Sequence, residues 1–165
     1  AAPILAQDVG GSLGFTGVIL GVFAVGGVTT AAWFARRPVR RPDRAIIVST
    51  ILSGIALAAV GLAPTPWLLL VAAFAMGATE PPLVSAMFQV RVRESPDRVQ
   101  AQVFTTSASL RMTAFAIATA ICGWLLGWGV AAVIAFGVAL HAVALLIGVV
   151  VGPAVPPRDE WLRRG

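Results

Sequence analysis

Five long runs of apolar residues, separated by short polar gaps, dominate the sequence. The runs cover 13–35, 45–63, 66–90, 103–128 and 129–152. Each is close to or above the ~20 residues that an α-helix needs to cross the hydrocarbon core of a bilayer. Backbone that faces lipid must satisfy its hydrogen bonds internally, and helices do this. The pattern therefore predicts an all-α fold, a polytopic membrane bundle of five transmembrane helices.

Composition agrees with a bilayer as the main partner of the chain. Of the 165 residues, 58% are hydrophobic and 12% are charged, whereas soluble domains carry about 25% charged residues. The formal net charge of +5 comes from arginine, since the chain has no lysine. These arginines flank apolar runs, which is typical of membrane orientation rather than of nucleic-acid binding. We therefore expect no nucleic-acid partner.

The arginines also predict an orientation. Five lie in 36–44, three in 91–98 and three in 158–165, while the gaps between the other runs hold no charge. Basic loops stay in the cytoplasm, so both arginine loops and the C-terminus are predicted to lie there, in a cell inner membrane. Residues 1–12 are then an external loop or the end of a missing helix, 13–152 the transmembrane bundle, and 153–165 a cytoplasmic tail. Because the chain starts at Ala1 rather than Met, we expect that something has been cut away upstream.

Glycines in the first and fourth runs predict close helix contacts. Gly10, Gly14, Gly17 and Gly21 fall on one side of a helix. The pattern Gly17-x-x-x-Gly21 lets another backbone approach closely, and 123–127 repeats it. The stripe serves either static packing or a surface between moving helices.

The first arginine loop resembles a known signature. The stretch Arg36-Arg37-Pro38-Val39-Arg40-Arg41 is similar to the cytoplasmic D-R-x-G-R-R motif of the major facilitator superfamily. The arginines match at Arg37, Arg40 and Arg41, whereas the Asp is replaced by Arg36 and the Gly by Val39. The stretch from Glu94 to Thr106 is similar to the loop before the eleventh helix of these transporters.

The resemblance implies that the five runs are helices eight to twelve of a twelve-helix transporter, that is, five helices of its second six-helix half. The seventh helix and the N-terminal half would then be missing partners. Among members, bacterial efflux proteins are the nearest in pattern. In the family the tenth helix lines the central cavity and the twelfth is peripheral.

Two opposite charges lie inside adjacent apolar runs. Glu80 is eleven residues before Arg91, and Arg111 is nine residues after Gln102. Both are therefore roughly 14–17 Å from the arginine-rich ends of their helices. Ionisable groups at such depth are costly and usually functional. Glu80 and Arg111 are either a structural ion pair or a site for substrate or proton coupling.

Two prolines follow Glu80 directly and predict that the third helix is kinked or broken there. Pro81 and Pro82 lack the N–H groups that would bond the carbonyls four residues earlier. Broken helices near mid-membrane are a recurrent feature of transporter binding sites. Met76 and Met87 fall on the side of Glu80 if the helical phase continues, either as packing or as lining of a cavity.

Arg111 and a polar stripe lie on opposite sides of the fourth run, so only one of them can face the interior of the bundle. Gln102, Thr106, Ser109 and Thr113 share one side of the fourth run, and Arg111 points about 180° away from it. Hydroxyl groups often bond between membrane helices, so we expect Arg111 to face the cavity.

The remaining chemistry is sparse. His141 is either a neutral histidine bonded to a backbone or hydroxyl group or part of a proton relay. Cys122 is the single cysteine and is expected to be a small core residue. The motifs of hydrolases, metalloproteases and nucleotide-binding loops are absent from the sequence. We expect neither enzymatic activity nor a metal or other cofactor.

Two functions agree with these observations. The first is part of a secondary active transporter that moves a small organic solute across the cytoplasmic membrane, as proton-coupled efflux by antiport. A carboxyl group in a low dielectric favours its neutral form, so Glu80 would take up and release the proton. The second is a membrane scaffold or assembly subunit in which Glu80 and Arg111 form a structural pair.

Overall fold

The computed structural model describes residues 13–37 and 41–151, and this part of the chain is almost entirely helical. The helices are α1 (Leu13–Arg36), α2 (Pro42–Leu62), α3 (Pro66–Glu94), α4 (Gln100–Leu125) and α5 (Val130–Val151). Single 3-10 turns at Asp97–Val99 and Leu126–Trp128 flank α4. All five helices are long and apolar enough to cross a membrane. The prediction of an all-α, multi-pass membrane bundle is confirmed.

The helix ends follow local sequence signals. Both α2 and α3 begin with a proline, Pro42 and Pro66, at a position where the missing N–H costs nothing. Asp43 lies in the first turn of α2, and Arg91 and Arg93 lie in the last turn of α3. These charges oppose the partial charges of the helix termini. Gly129, with a φ of 102°, makes the turn into α5.

The third helix is the centre of the packing. It lies against α1 on one side and against α2 on another, and α5 packs on α2. The buried side chains are mostly small, such as Ala56, Ala72, Ala73 and Ala86. Leu69 is the largest side chain that is fully buried, and with Ile19 and Ala73 it forms a core cluster between α1 and α3. Small side chains let helices approach closely where hydrophobic collapse offers no drive, as in lipid.

The fourth helix is nearly unpartnered. Its contacts with α3 and α5 are few, and none of its residues is buried. A stacked pair of rings, Phe88 and Phe104 with centroids 5.6 Å apart, joins its beginning to the end of α3. Long apolar side chains of α4, including Leu110 and Phe115, are 70% exposed. This helix is therefore open to lipid or to further protein on most of its surface.

The third helix is not broken at the two prolines, whereas the kink that the sequence analysis gave as the alternative stays a prediction. The chain is α-helical without interruption from Pro66 to Glu94, with Pro81 and Pro82 inside the helix. Neighbouring helices and hydroxyl groups stabilise prolines in membrane helices. Here α3 is held between α1 and α2.

Four of the glycines predicted to make helix contacts make none within the described residues, and a contact with further protein there stays a prediction. A Cβ added to Gly17, Gly21, Gly123 or Gly127 would meet nothing within 4 Å, and Gly10 lies outside the described residues. The close approach of α1 and α3 occurs instead at Gly26 and Gly77, where an added Cβ would clash with the opposite backbone. Packing on α3 thus selects a different side of α1 from the one that carries most glycines.

Candidate functional site in the membrane

Glu80 lies at the middle of the central helix. It is fourteen residues from Pro66 and fourteen from Glu94, which places it about 21 Å along the helix axis from either end. Its side chain is exposed in the bundle formed by the described residues. Because such a depth is hydrocarbon in a bilayer, an exposed carboxylate there needs water, a partner or a proton.

Arg111 lies at a comparable depth on α4, and the structure does not bring it to Glu80. It is eleven residues after Gln100, or about 17 Å along the axis. Its side chain is exposed, and among the described residues the ion pairs are those of Arg93 with Asp43 and Glu94. No ion pair therefore joins Glu80 to Arg111, and α4 has few contacts with α3.

Met76 and Met87 lie on the same side of α3 as Glu80, as the helical repeat predicts, because α3 is continuous. Both methionines and both prolines, Pro81 and Pro82, are half-buried. Glu80 is therefore the exposed member of a group that is otherwise partly packed.

His141 makes two hydrogen bonds near the middle of α5. Its Nδ1 lies 2.8 Å from the carbonyl oxygen of Gly137, and its Nε2 lies 3.2 Å from the Oγ of Ser53 on α2. A carbonyl only accepts, so Nδ1 carries the proton and donates; in the neutral ring Nε2 then accepts from the serine hydroxyl. This is the arrangement expected of a neutral histidine bonded to backbone and hydroxyl groups. It joins α5 to α2.

The polar stripe of α4 does not bond to another helix. The hydroxyl of Thr113 donates to the carbonyl of Ser109 at 3.0 Å, within its own helix, and Thr106, Ser109 and Thr113 are exposed. Both the stripe and Arg111 therefore face outward from the described residues.

The arginine-rich end contains an ion-pair network that the sequence analysis missed. Arg93 donates from both terminal nitrogens to the carboxylate of Asp43, at 3.1 and 3.2 Å, and from Nε to Glu94 at 2.7 Å. The contact ties the start of α2 to the end of α3. The signal was present in the sequence as an acid in a first turn and a base in a last turn on consecutive antiparallel helices.

The loop motif is partly described. The guanidinium of Arg37 lies 4.6 Å from the centre of the Trp33 ring, and Arg41 precedes α2 with an exposed side chain. Arg40 lies outside the described residues. So do residues 1–12 and the predicted tail at 153–165.

An apolar groove that was not predicted from the sequence runs along α2 and α3. Its volume is about 870 Å³, and Glu80 and Arg111 are not among the residues that line it. At the arginine-rich end the groove is lined by Thr30 and Phe34 of α1 and by Ala45 of α2. Towards its other end it is lined by α2 and α3, as far as Leu62 and Leu68. Its few polar side chains are Thr30, Ser49 and Thr79.

The described residues offer little metal chemistry. No group of three or more His, Cys, Asp or Glu side chains within 13–37 and 41–151 is placed to hold a metal ion. Cys122 is half-buried with a free thiol.

Comparison with known proteins returned no relative. No protein-family model matches the chain, and no match was found among curated proteins or among solved structures.

Proposed function

We propose that this chain is part of a secondary active transporter that moves a small organic solute across a bacterial cytoplasmic membrane, by proton-coupled efflux. The observation that carries the proposal is the exposure of two opposite mid-membrane charges: Glu80, on a face of α3 that the described helices leave uncovered, and Arg111, on the nearly unpartnered α4. Charged side chains at this depth usually mark a substrate or ion pathway.

The argument rests on the cost of leaving these charges against lipid. A charge at the centre of a bilayer costs ~2.5–3.5 kcal/mol even on the more lenient insertion scales. A water-filled cavity between this bundle and further helices removes that cost. In such a cavity Glu80 takes up and releases the coupling proton, and Arg111, which keeps its charge, holds an anionic group or balances Glu80.

The packing of α4 supports a larger assembly. A helix with no buried residue in the described bundle has surface to offer to another part of the protein. The resemblance of the loop at Arg37 and Arg41 to the major facilitator signature suggests which part: the missing N-terminal half of the same transporter. Alternating access then requires both halves around a shared midplane site, with the arginine loops and the C-terminus in the cytoplasm.

The competing proposal, a scaffold or assembly subunit with a structural Glu80–Arg111 pair, receives less support. It needs the two side chains in contact, and they are not joined by any ion pair.

The coding sequence upstream of Ala1 gives the first test. Six or seven preceding hydrophobic segments, with a better copy of the signature after the second, are expected for the transporter. An initiator Met directly before Ala1 would support the scaffold instead.

The second test measures coupling at Glu80. Inside-out vesicles carrying the complete gene product are loaded with a pH-sensitive dye, acidified inside, and exposed to a panel of organic cations, anions and sugars. We expect at least one solute to release protons, and Glu80→Gln to abolish that release at equal protein amounts. Glu94→Gln, which removes a carboxylate at the arginine-rich end of the same helix, is the matched control. Undiminished release in the Glu80 variant, or no response to any solute, would contradict the proposal.

A further inference from the structure

The apolar groove along α2 and α3 has a basic mouth. At one end its last lining residues are Phe34 of α1 and Ala45 of α2. The N–H of Arg37 bonds the carbonyl of Phe34 at 3.3 Å, and the N–H of Ala45 bonds the carbonyl of Arg41 at 3.1 Å. Each of these arginines is thus one helical turn beyond the groove, on either side of its mouth.

The arginines at this mouth are free to bind an anion. The side chains of Arg36, Arg37, Arg41 and Arg44 are exposed. The nearby acid, Asp43, is already bonded to Arg93, so within the described residues it does not neutralise them. Arg37 rests on the ring of Trp33, and an indole side chain suits the interfacial level of a membrane.

The groove itself suits hydrocarbon. It runs along α2 from Ala45 to Leu62, about 26 Å at the rise of an α-helix, so the half nearest the arginines is about as long as one leaflet of a ~30 Å hydrocarbon core. Its polar side chains are few, and the hydroxyl of Thr79 is bonded to its own helix. A ligand in the groove therefore finds apolar surface along its length and positive charge at one end.

We infer that the groove holds an acyl chain of an anionic phospholipid, whose phosphate is bound by Arg37 and Arg41 at the mouth. Basic pockets between membrane helices bind such headgroups on the cytoplasmic side. An anionic phospholipid combines both features of the site in one molecule, since its acyl chain matches the apolar slot and its phosphate matches the terminal cluster of arginines. The site is separate from Glu80 and Arg111 and does not depend on transport.

Native mass spectrometry of the purified full chain tests the inference. The chain is reconstituted in nanodiscs with equal amounts of phosphatidylglycerol and phosphatidylcholine, released, and the lipids retained on it are counted. We expect phosphatidylglycerol to be retained over phosphatidylcholine, with about a fivefold loss for each of Arg37→Gln and Arg41→Gln. Arg98→Gln, which removes an exposed arginine in the turn between α3 and α4, is the control for charge alone.

Filling the groove tests the acyl-chain part. Val48→Trp and Leu52→Trp, both on α2 near the mouth, place rings in the groove at exposed positions, so each variant is expected to fold, and both should lose phosphatidylglycerol. Ala114→Phe, at an exposed position of α4, should not. Equal retention of the two lipids, or unchanged phosphatidylglycerol in both groove variants, would overturn the inference. So would a disulfide between two copies of Ala75→Cys in a Cys122→Ala background, because a second copy would then occupy the groove.

Discussion

Gly26 of α1 and Gly77 of α3 meet where these two helices cross, and each faces a carbonyl of the other helix. A Cβ on Gly77 would clash with the carbonyl oxygen of Phe23, and a Cβ on Gly26 would clash with that of Phe74. In both helices the carbonyl lies three residues before the glycine, so the contact is reciprocal. Such crossings allow Cα–H···O contacts between backbones. The position of the central helix against α1 depends on the absence of two side chains.

The first prediction follows from that crossing. Gly77→Ala should destabilise the bundle by about 1–3 kcal/mol, the usual cost of an extra methyl group in a packed interior, because a backbone carbonyl cannot move aside as a side chain can. Gly21→Ala is the matched control, since it adds the same methyl group to open space. Unfolding in mixed detergent, followed by circular dichroism, measures both. Equal stability of the two variants would show that α1 and α3 do not cross at Gly77.

The second prediction concerns the link between α5 and α2. Ser53→Ala removes the hydroxyl within 3.2 Å of His141 Nε2, and a double-mutant cycle with His141→Leu should give a coupling of about 0.6 kcal/mol, the average for membrane hydrogen bonds. Thr50→Ala is the control, because the hydroxyl of Thr50 bonds to the carbonyl of Ile46 in its own helix. A cycle between Thr50 and His141 should therefore give none. A coupling of zero for Ser53 as well would mean that the two helices are not joined here.

The third prediction is a salt dependence at the arginine-rich end. Asp43 and Arg93 form a bidentate pair whose side chains are 64% and 49% exposed, and exposed pairs contribute about 0.2–1 kcal/mol. The coupling between Asp43→Asn and Arg93→Gln should therefore be small at low salt and should vanish at 1 M NaCl, where the screening length is about 3 Å. A coupling that survives 1 M salt would indicate a pair shielded from solvent, contrary to its exposure.

The helices could be predicted from the sequence because their signal is long and repeated. Runs of about twenty or more apolar residues leave few alternatives to a membrane helix. Short polar gaps separate these runs, such as those between Arg36 and Pro42 and between Glu94 and Gln100. The contacts between helices could not be predicted in the same way. The contact at Gly26 depends on which side of α1 packs on α3, and a stripe such as Gly17 and Gly21 describes one helix without its neighbour.

The proline pair shows a related limit. Local chemistry at Pro81 and Pro82 removes two backbone hydrogen bonds, and this favours a kink or a break. The packing of α3 between α1 and α2 outweighs it. Helix packing also decides whether Glu80 and Arg111 pair. Their similar depth along α3 and α4 could be predicted from the sequence, but the distance between the two helices could not. The groove along α2 and α3 is likewise a property of their arrangement rather than of either sequence segment.

The last prediction separates a site from a structural pair at Glu80 and Arg111. Removing one partner of a buried ion pair costs about 3–5 kcal/mol, because an uncompensated charge stays behind. Both side chains are exposed here and no ion pair joins them. Glu80→Gln should therefore change the free energy of unfolding in detergent by less than about 0.5 kcal/mol, as expected away from packed features. Adding Arg111→Met should change this free energy additively.

The measurement is a double-mutant cycle at neutral pH, with Glu94→Gln and Arg98→Gln as a reference pair outside the apolar segments. A large loss for Glu80→Gln that Arg111→Met restores would show that α4 closes on α3 in solution, and it would favour the scaffold over the transporter. Additivity leaves both charges available to a solute or a proton, because neither is then consumed in holding the bundle together.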